Sequence, residues 1–227
     1  RPQVTDSFCD FLAGEAREAE RQYILGDLFE LWIADDPQDE HQQRVVTALH
    51  DFTADGHRCL FTHGNRDFLI DAGFADRTGI EIQPSVSRLE LPGGSALLLH
   101  GDELCTDDLA YQRMRRILRS PRNQAIYRAL PGFAQRAIAS RIRRDSRKAA
   151  SQKPPTIMDV NADAVAAMMR RYDVRLMIHG HTHRPAIHDF PLDGEPARRI
   201  VLGDWYEQGS VLRWTDSGPE LAVRNYA

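Results

Sequence analysis

Short apolar runs alternate with longer amphipathic stretches along most of the chain, and their order predicts the elements. Val4, Phe8, Phe11, Leu12 and Ala16 recur at helical spacing, so Val4 to Ala19 is expected to be an amphipathic helix. Gln22 to Leu25 reads as a buried strand ending in a loop at Gly26-Asp27, and His41 to Ala54 as a second helix. Arg58 to Thr62 predicts a second strand running into His63-Gly64-Asn65-Arg66-Asp67, and Ser95 to Leu99 a third running into His100-Gly101-Asp102. Met168 to Tyr172 closes a helix, after which Val174 to Ile178 leads into His179-Gly180-His181-Thr182-His183. Arg199 to Leu202, Ser210 to Trp214 and Glu220 to Val223 alternate as further strands, expected in a second sheet. Helices alternating with apolar strands place the chain in the α/β class.

The middle breaks this rhythm. Asp107 to Arg171 is rich in Ala, Arg, Ile and Leu at helical spacing, punctuated by Pro121, Pro131 and Pro154-Pro155. A helical cap inserted over residues 107–172 is therefore expected, between two parts of an α/β body, 1–106 and 173–227. At 42% hydrophobic and 27% charged residues the composition is that of a folded globular protein, which excludes a disordered or fibrous chain. No apolar run approaches the roughly 18 residues of a membrane-spanning helix. Arg1-Pro2-Gln3 opens without a signal pattern or an initiator Met, so the chain is expected to begin inside a longer product. Cys9, Cys59 and Cys105 are widely spaced and odd in number, which points to reduced thiols and a cytoplasmic setting.

Charge changes the picture more than composition does. The chain carries a net charge of −4, yet Arg113 to Lys153 holds thirteen Lys and Arg against one acid, Asp145, a local +12. So many bases without interleaved acids forgo the usual i,i+4 pairing and point to an anionic partner. The alternative is a solvated helical face.

Four strand ends carry polar residues of one chemical kind: Gly26-Asp27, Gly64-Asn65, His100-Gly101-Asp102 and Gly180-His181-Thr182-His183. Ligands gather at the carboxyl ends of strands in open α/β sheets, so these loops can converge on one crevice. Carboxylate, amide oxygen and imidazole without thiolate suit Mn, Fe or Zn in a hydrolytic two-metal site. Singly, a Gly-Asp is a common turn, Asn65 fits a left-handed turn residue, and a lone His100 is more often a satisfied core residue. Four such ends in one order carry the weight. On an extended segment His181 and His183 face the same side, so both imidazoles would reach one centre.

That order, Gly-Asp, Gly-Asn-x-Asp, His, Gly-His-x-His, resembles the calcineurin-like metallophosphoesterases. Longer blocks are similar to their UDP-2,3-diacylglucosamine diphosphatase branch of lipid A biosynthesis: Tyr23 to Glu30, His63 to Leu69, His100 to Asp108, Ile157 to Asn161 and Ile178 to Pro185. The resemblance implies a sandwich of two mixed sheets flanked by helices, with a helical cap. It implies a Mn2+-dependent hydrolase in which activated water attacks the α-phosphorus, giving UMP and 2,3-diacylglucosamine 1-phosphate. Asp27 would bridge two Mn2+ ions, Asn65, His100 and His181 would complete one site, and His183 would bind the other. Arg66 would hold phosphate with its planar fork, and Asn65, Asp108, Ser146, Lys153 and His181 match substrate-contacting positions. The expected partners are the glycolipid nucleotide and an anionic membrane surface, not nucleic acid, at the cytoplasmic face of the inner membrane.

Two departures qualify this. The branch begins with a strand ending in Asp-x-His, and none precedes Asp27 here, so one metal site is short of two ligands and turnover by this chain is expected to be impaired. Ala150 also stands where an amide-bearing substrate contact is expected. Two other functions compete with this reading: a metallophosphodiesterase gripping nucleotides or nucleic acid with the basic insert, and a basic membrane-surface module with vestigial metal loops. Few aromatics (Tyr111, Tyr127 and Phe133) are there to stack bases, and intact Asn65, His100, His181 and His183 argue against a vestigial site.

Overall fold

The structure, a computed structural model, describes residues 2–33, 39–151, 153–154, 157–206 and 208–225, apart from the side chains of Arg147 and Ala150. The expectations placed on Ala150 and on the break at Pro155 fall outside these residues.

Helix α1 (Pro2–Ala13) stops earlier than the apolar period predicted. Gly14 (φ −122°, ψ −96°) leaves helical geometry, and Glu15–Glu18 continues as a 3-10 turn, which still buries Ala16. A parallel three-stranded sheet follows, in the order β1 (Arg21–Ile24), β2 (Arg58–Phe61), β3 (Glu81–Ile82). Parallel strands need a crossover, and α2 (Glu40–Ala54) supplies the one from β1 to β2. Its N-terminus is fixed by Asp39, whose side chain accepts from the Gln42 amide at 2.9 Å. Helix α3 (Ala72–Thr78) links β2 to β3. Phe11, Leu12, Val45, Leu49, Phe52, Phe61 and Phe74 fill the layer between the helices and this sheet.

The second sheet has five strands, ordered β4 (Val86–Leu91), β5 (Gly94–Leu99), β6 (Leu176–His179), β8 (Glu195–Val201), β7 (Ala186–Leu192). The Arg199 to Leu202 segment belongs here: β8 runs parallel to β6, with Met177 opposite Arg199. This corrects the expectation that it would join the last two strands, which among the described residues pair only with each other as the antiparallel hairpin β9 (Gln208–Thr215) and β10 (Gly218–Asn225). Leu25, Ala96, Leu98, Ile178 and Ile200 form a core between the layers, with Tyr23, Leu89, Leu212 and Trp214 against it. The fold is a sandwich of two sheets with helices outside.

Within residues 107–172, α4 (Leu109–Leu118) and α5 (Pro121–Arg128) contribute no buried residue, and α6 (Gly132–Ser151) buries Ala139. Helix α7 (Ala162–Arg171) is different. Its Val165 and Met169 pack with Leu97, Leu99 and Met177 on the outer face of the five-stranded sheet. No helix among the described residues is long and apolar enough to cross a membrane.

Candidate metal centre

Strand register brings the four loops together. Ile24 lies opposite Phe61 in the first sheet, so Gly26-Asp27 and Gly64-Asn65 leave from adjacent strands. Leu99 lies opposite His179 in the second, and the Gly180 amide donates to the His100 carbonyl at 3.0 Å. His100 joins the two sheets: its Nδ1 is 2.7 Å from the Leu25 carbonyl, so that nitrogen donates and Nε2 faces the crevice. Gly26 and Gly64 are needed for this approach. A Cβ on Gly26 would overlap the Gly64 backbone, and one on Gly64 would overlap the Asp27 amide and carboxylate.

Asp67 locks the same junction. It is fully buried and accepts from the Gly64 amide and the Leu28 amide, each at 2.7 Å. Burial, reinforced by the charge of Asp27, raises its pKa despite those donors.

Asp27, His100 and His181 offer ligand atoms that all lie within 4.8 Å of one another. Asn65 Oδ1 joins them, 3.1 Å from His100 Nε2 and 2.9 Å from His181 Nδ1. Burial drops the His181 pKa to about 3, leaving a neutral imidazole. Burial also acts to lower His100, but the carboxylates of Asp27 and Asp102 and the Leu25 carbonyl outweigh it and raise that pKa. Asp27 Oδ2 is buried without a hydrogen bond, although Arg66 Nε stands 3.4 Å away. A buried carboxylate with one oxygen outside any hydrogen bond, grouped with two imidazoles and an amide oxygen, is what a divalent cation would satisfy. The donor set fits such an ion.

His183 lies outside this cluster, where its Nδ1 is 2.8 Å from Asp204 Oδ2. The expectation of an extended Gly-His-Thr-His segment is corrected. His181 (φ 67°) and His183 (φ 57°) both hold left-handed backbone in the loop after β6, as does Asp27 (φ 56°) after β1. The turn, not a shared strand face, aims the two imidazoles at different partners.

Arg66 is engaged by acids and a phenol. Its guanidinium pairs with Glu30 Oε1 at 2.9 Å and donates to the Tyr206 hydroxyl. Glu30 also meets Arg143 of α6 at 3.5 Å. Asp108, before the basic segment, and Lys153, at its end, form an ion pair, and Asp108 caps α4 through the Tyr111 amide at 3.0 Å. Ser146 is half-buried on α6. A cavity of about 1430 Å³ runs between the sheets and opens on Asp27, His100, His181 and His183.

Sequence reasoning missed Glu30, Asp204 and Tyr206 as members of the site. Gly203-Asp204 repeats the Gly-Asp pattern after an apolar strand that singled out Gly26-Asp27, so the signal for Asp204 was present. Glu30 and Tyr206 carry no such signal, because only the fold brings residues 176 positions apart together.

Residues 5–185 match the calcineurin-like phosphoesterase family. Proteins named UDP-2,3-diacylglucosamine hydrolase from Escherichia fergusonii and Escherichia coli K12 are each 45% identical over 97% of this chain and 92% of their own. The Klebsiella pneumoniae protein of that name is 46% identical over the same shares. Among solved structures, vacuolar protein sorting 29 from Cryptosporidium parvum aligns with a TM-score of 0.45 at 13% identity, over 98% of this chain and 88% of that one. By its family match and by its identity to these hydrolases, the chain belongs to the calcineurin-like phosphoesterases, whose chemistry rests on divalent metal ions.

Proposed function

We propose that the chain hydrolyses the diphosphate of UDP-2,3-diacylglucosamine, adding water at the α-phosphorus to give UMP and 2,3-diacylglucosamine 1-phosphate. The observation that carries this is the convergence of Asp27, His100 and His181, with a carboxylate oxygen that makes no hydrogen bond, beside the Arg66 guanidinium. The relatives' shared name supports the substrate. Asp27, Asn65, His100 and His181 would hold one Mn2+, and His183 would serve a second. Such ions supply Lewis acidity, activating water and drawing charge from phosphoryl oxygens.

The protein groups do the rest. Burial lowers the His181 pKa and so keeps its ring neutral near physiological pH. Arg66 takes a phosphoryl oxygen in place of Glu30, an exchange of one oxyanion for another on the same planar fork. Asn65, Asp108, Ser146, Lys153 and His181 contact the head group. The test is Mn2+-dependent UMP release by the protein expressed from its own gene. Asp27→Ala should lower kcat/KM at least about a hundredfold, the scale of losing one electrostatic stabiliser. Excess Mn2+ should restore part of the rate to His183→Ala and none to Arg66→Ala. Hydrolysis without UMP among the products would overturn the substrate, and Mn2+ rescue of Arg66→Ala alone would exchange the two roles.

The same proposal places the protein at the cytoplasmic face of the inner membrane. Ile117, Ile126 and Phe133 are exposed on the basic segment, 52%, 56% and 72% accessible, so apolar as well as cationic side chains of this segment meet solvent. They suit acyl chains beside an anionic leaflet, where each cation contributes about 1 kcal/mol and is screened by salt. Co-sedimentation with anionic vesicles should fall steeply as salt rises, and neutral vesicles should bind poorly. Equal binding to both would reduce the charge run to a solvated face.

A further inference from the structure

The segment after β8 lies beyond the family match, which ends at residue 185, yet it reaches into the site from two sides. Trp205 is its anchor. The indole packs edge-on against Phe8 and Phe11, each 5.7 Å away, and donates to the Ser210 carbonyl at 3.2 Å. The residues on either side of the anchor point into the site. Asp204 Oδ2 is 2.8 Å from His183 Nδ1, and the Tyr206 ring stacks on His183 at 5.6 Å and 22° while its hydroxyl meets Arg66 and Glu30.

We infer that Asp204 is the positioning residue for His183: it fixes the ring tautomer so that Nε2, and not Nδ1, is the nitrogen free to take a metal ion. An ionised carboxylate only accepts hydrogen bonds, so at 2.8 Å the Nδ1 of a neutral ring must carry the proton. Nε2 is then left with its lone pair. The stacked Tyr206 ring limits rotation of the imidazole, and the left-handed backbone at His183 fixes the direction from which its side chain leaves. Metal-binding imidazoles commonly depend on such a partner, whose removal costs about 10–100-fold in metal affinity. The inference rests on the proposed metal role of His183, but the tautomer itself does not.

The experiment is nitrogen-15 NMR of the histidine rings in metal-free protein, followed by titration with Zn2+, which is diamagnetic and accepts imidazole. The His183 signals are assigned by their loss in His183→Gln. Native protein should show protonated Nδ1 and unprotonated Nε2, and Zn2+ should shift Nε2. Asp204→Ala should give mixed tautomers and need about 10–100-fold more Zn2+ for the same shift. Asp204→Asn keeps an acceptor oxygen and should restore most of both properties, which a general structural defect would not allow. A protonated Nε2 in native protein, or an unchanged tautomer in Asp204→Ala, would overturn the inference. A native ring that keeps the stated tautomer but ignores Zn2+ would overturn the metal role of His183 and leave the positioning by Asp204 standing.

Discussion

Gly64→Ala should abolish turnover and loosen the fold, whereas Gly180→Ala, the same change beside another ligand loop, should be almost silent. The contrast is geometric. A Cβ on Gly64 would overlap the Asp27 backbone nitrogen as well as its carboxylate, and backbone cannot swing aside as a long side chain can. At Gly180 the nearest atoms, the carbonyl oxygens of His100 and Leu25, stand 3.8 Å from the added carbon, an ordinary contact. Overpacking of this kind costs about 1–3 kcal/mol, and displacing a reacting group by about 1 Å can cost 10²-fold in rate. Urea unfolding and UMP release measure the two effects. A Gly64→Ala protein with native activity would mean that the two ligand loops do not sit as close as described.

Asp102→Ala should produce the largest loss of stability without touching a proposed ligand. Asp102 is fully buried and receives Arg115 Nε at 2.7 Å, Arg119 Nη2 at 3.3 Å and the Tyr111 hydroxyl at 2.9 Å, all from α4 and the residue after it. Burial alone would raise its pKa, but the charges of His100, Arg119 and Arg115 more than reverse this and hold the carboxyl below the usual range. Removing the acid strands two mostly buried guanidinium groups, and breaking such a cluster costs about 3–5 kcal/mol. Because the folded pKa is depressed, the contribution is present above the unfolded value near 4 and is lost as pH falls through the folded one. The variant should therefore be less stable at neutral pH and lose less of its stability on acidification. A change below about 1 kcal/mol at pH 7 would show that water already solvates the arginines.

The parts of the fold that rest on local periodicity were legible in the sequence. β1, α2, β2 and β5 fall within a residue or two of the apolar runs that predicted them. Sheet membership was not, since the alternation in Arg199 to Leu202 reports a half-buried strand and says nothing about its neighbour. Only the pairing of Met177 with Arg199 decides that. The short β3 and the polar β7, with exposed His188 and Asp189, lack a pattern that stands above turns. At the site, ligands announced by glycine at strand ends could be read. Arg66 was read as a phosphate holder, but its pairing with Glu30 and Tyr206 depends on chain segments that periodicity cannot bring together.

Three of the five described non-glycine residues with left-handed backbone are Asp27, His181 and His183. That conformation disfavours a side-chain-bearing residue by about 1–2 kcal/mol, although Asp suffers less than most. Glycine at any of the three would relax the chain and remove the chemistry together. A laboratory selection for heat resistance alone would therefore tend to dismantle this centre first, and a variant gaining its melting temperature there would be a hardier protein with no catalyst in it. For this fold, durability and competence have to be assayed separately.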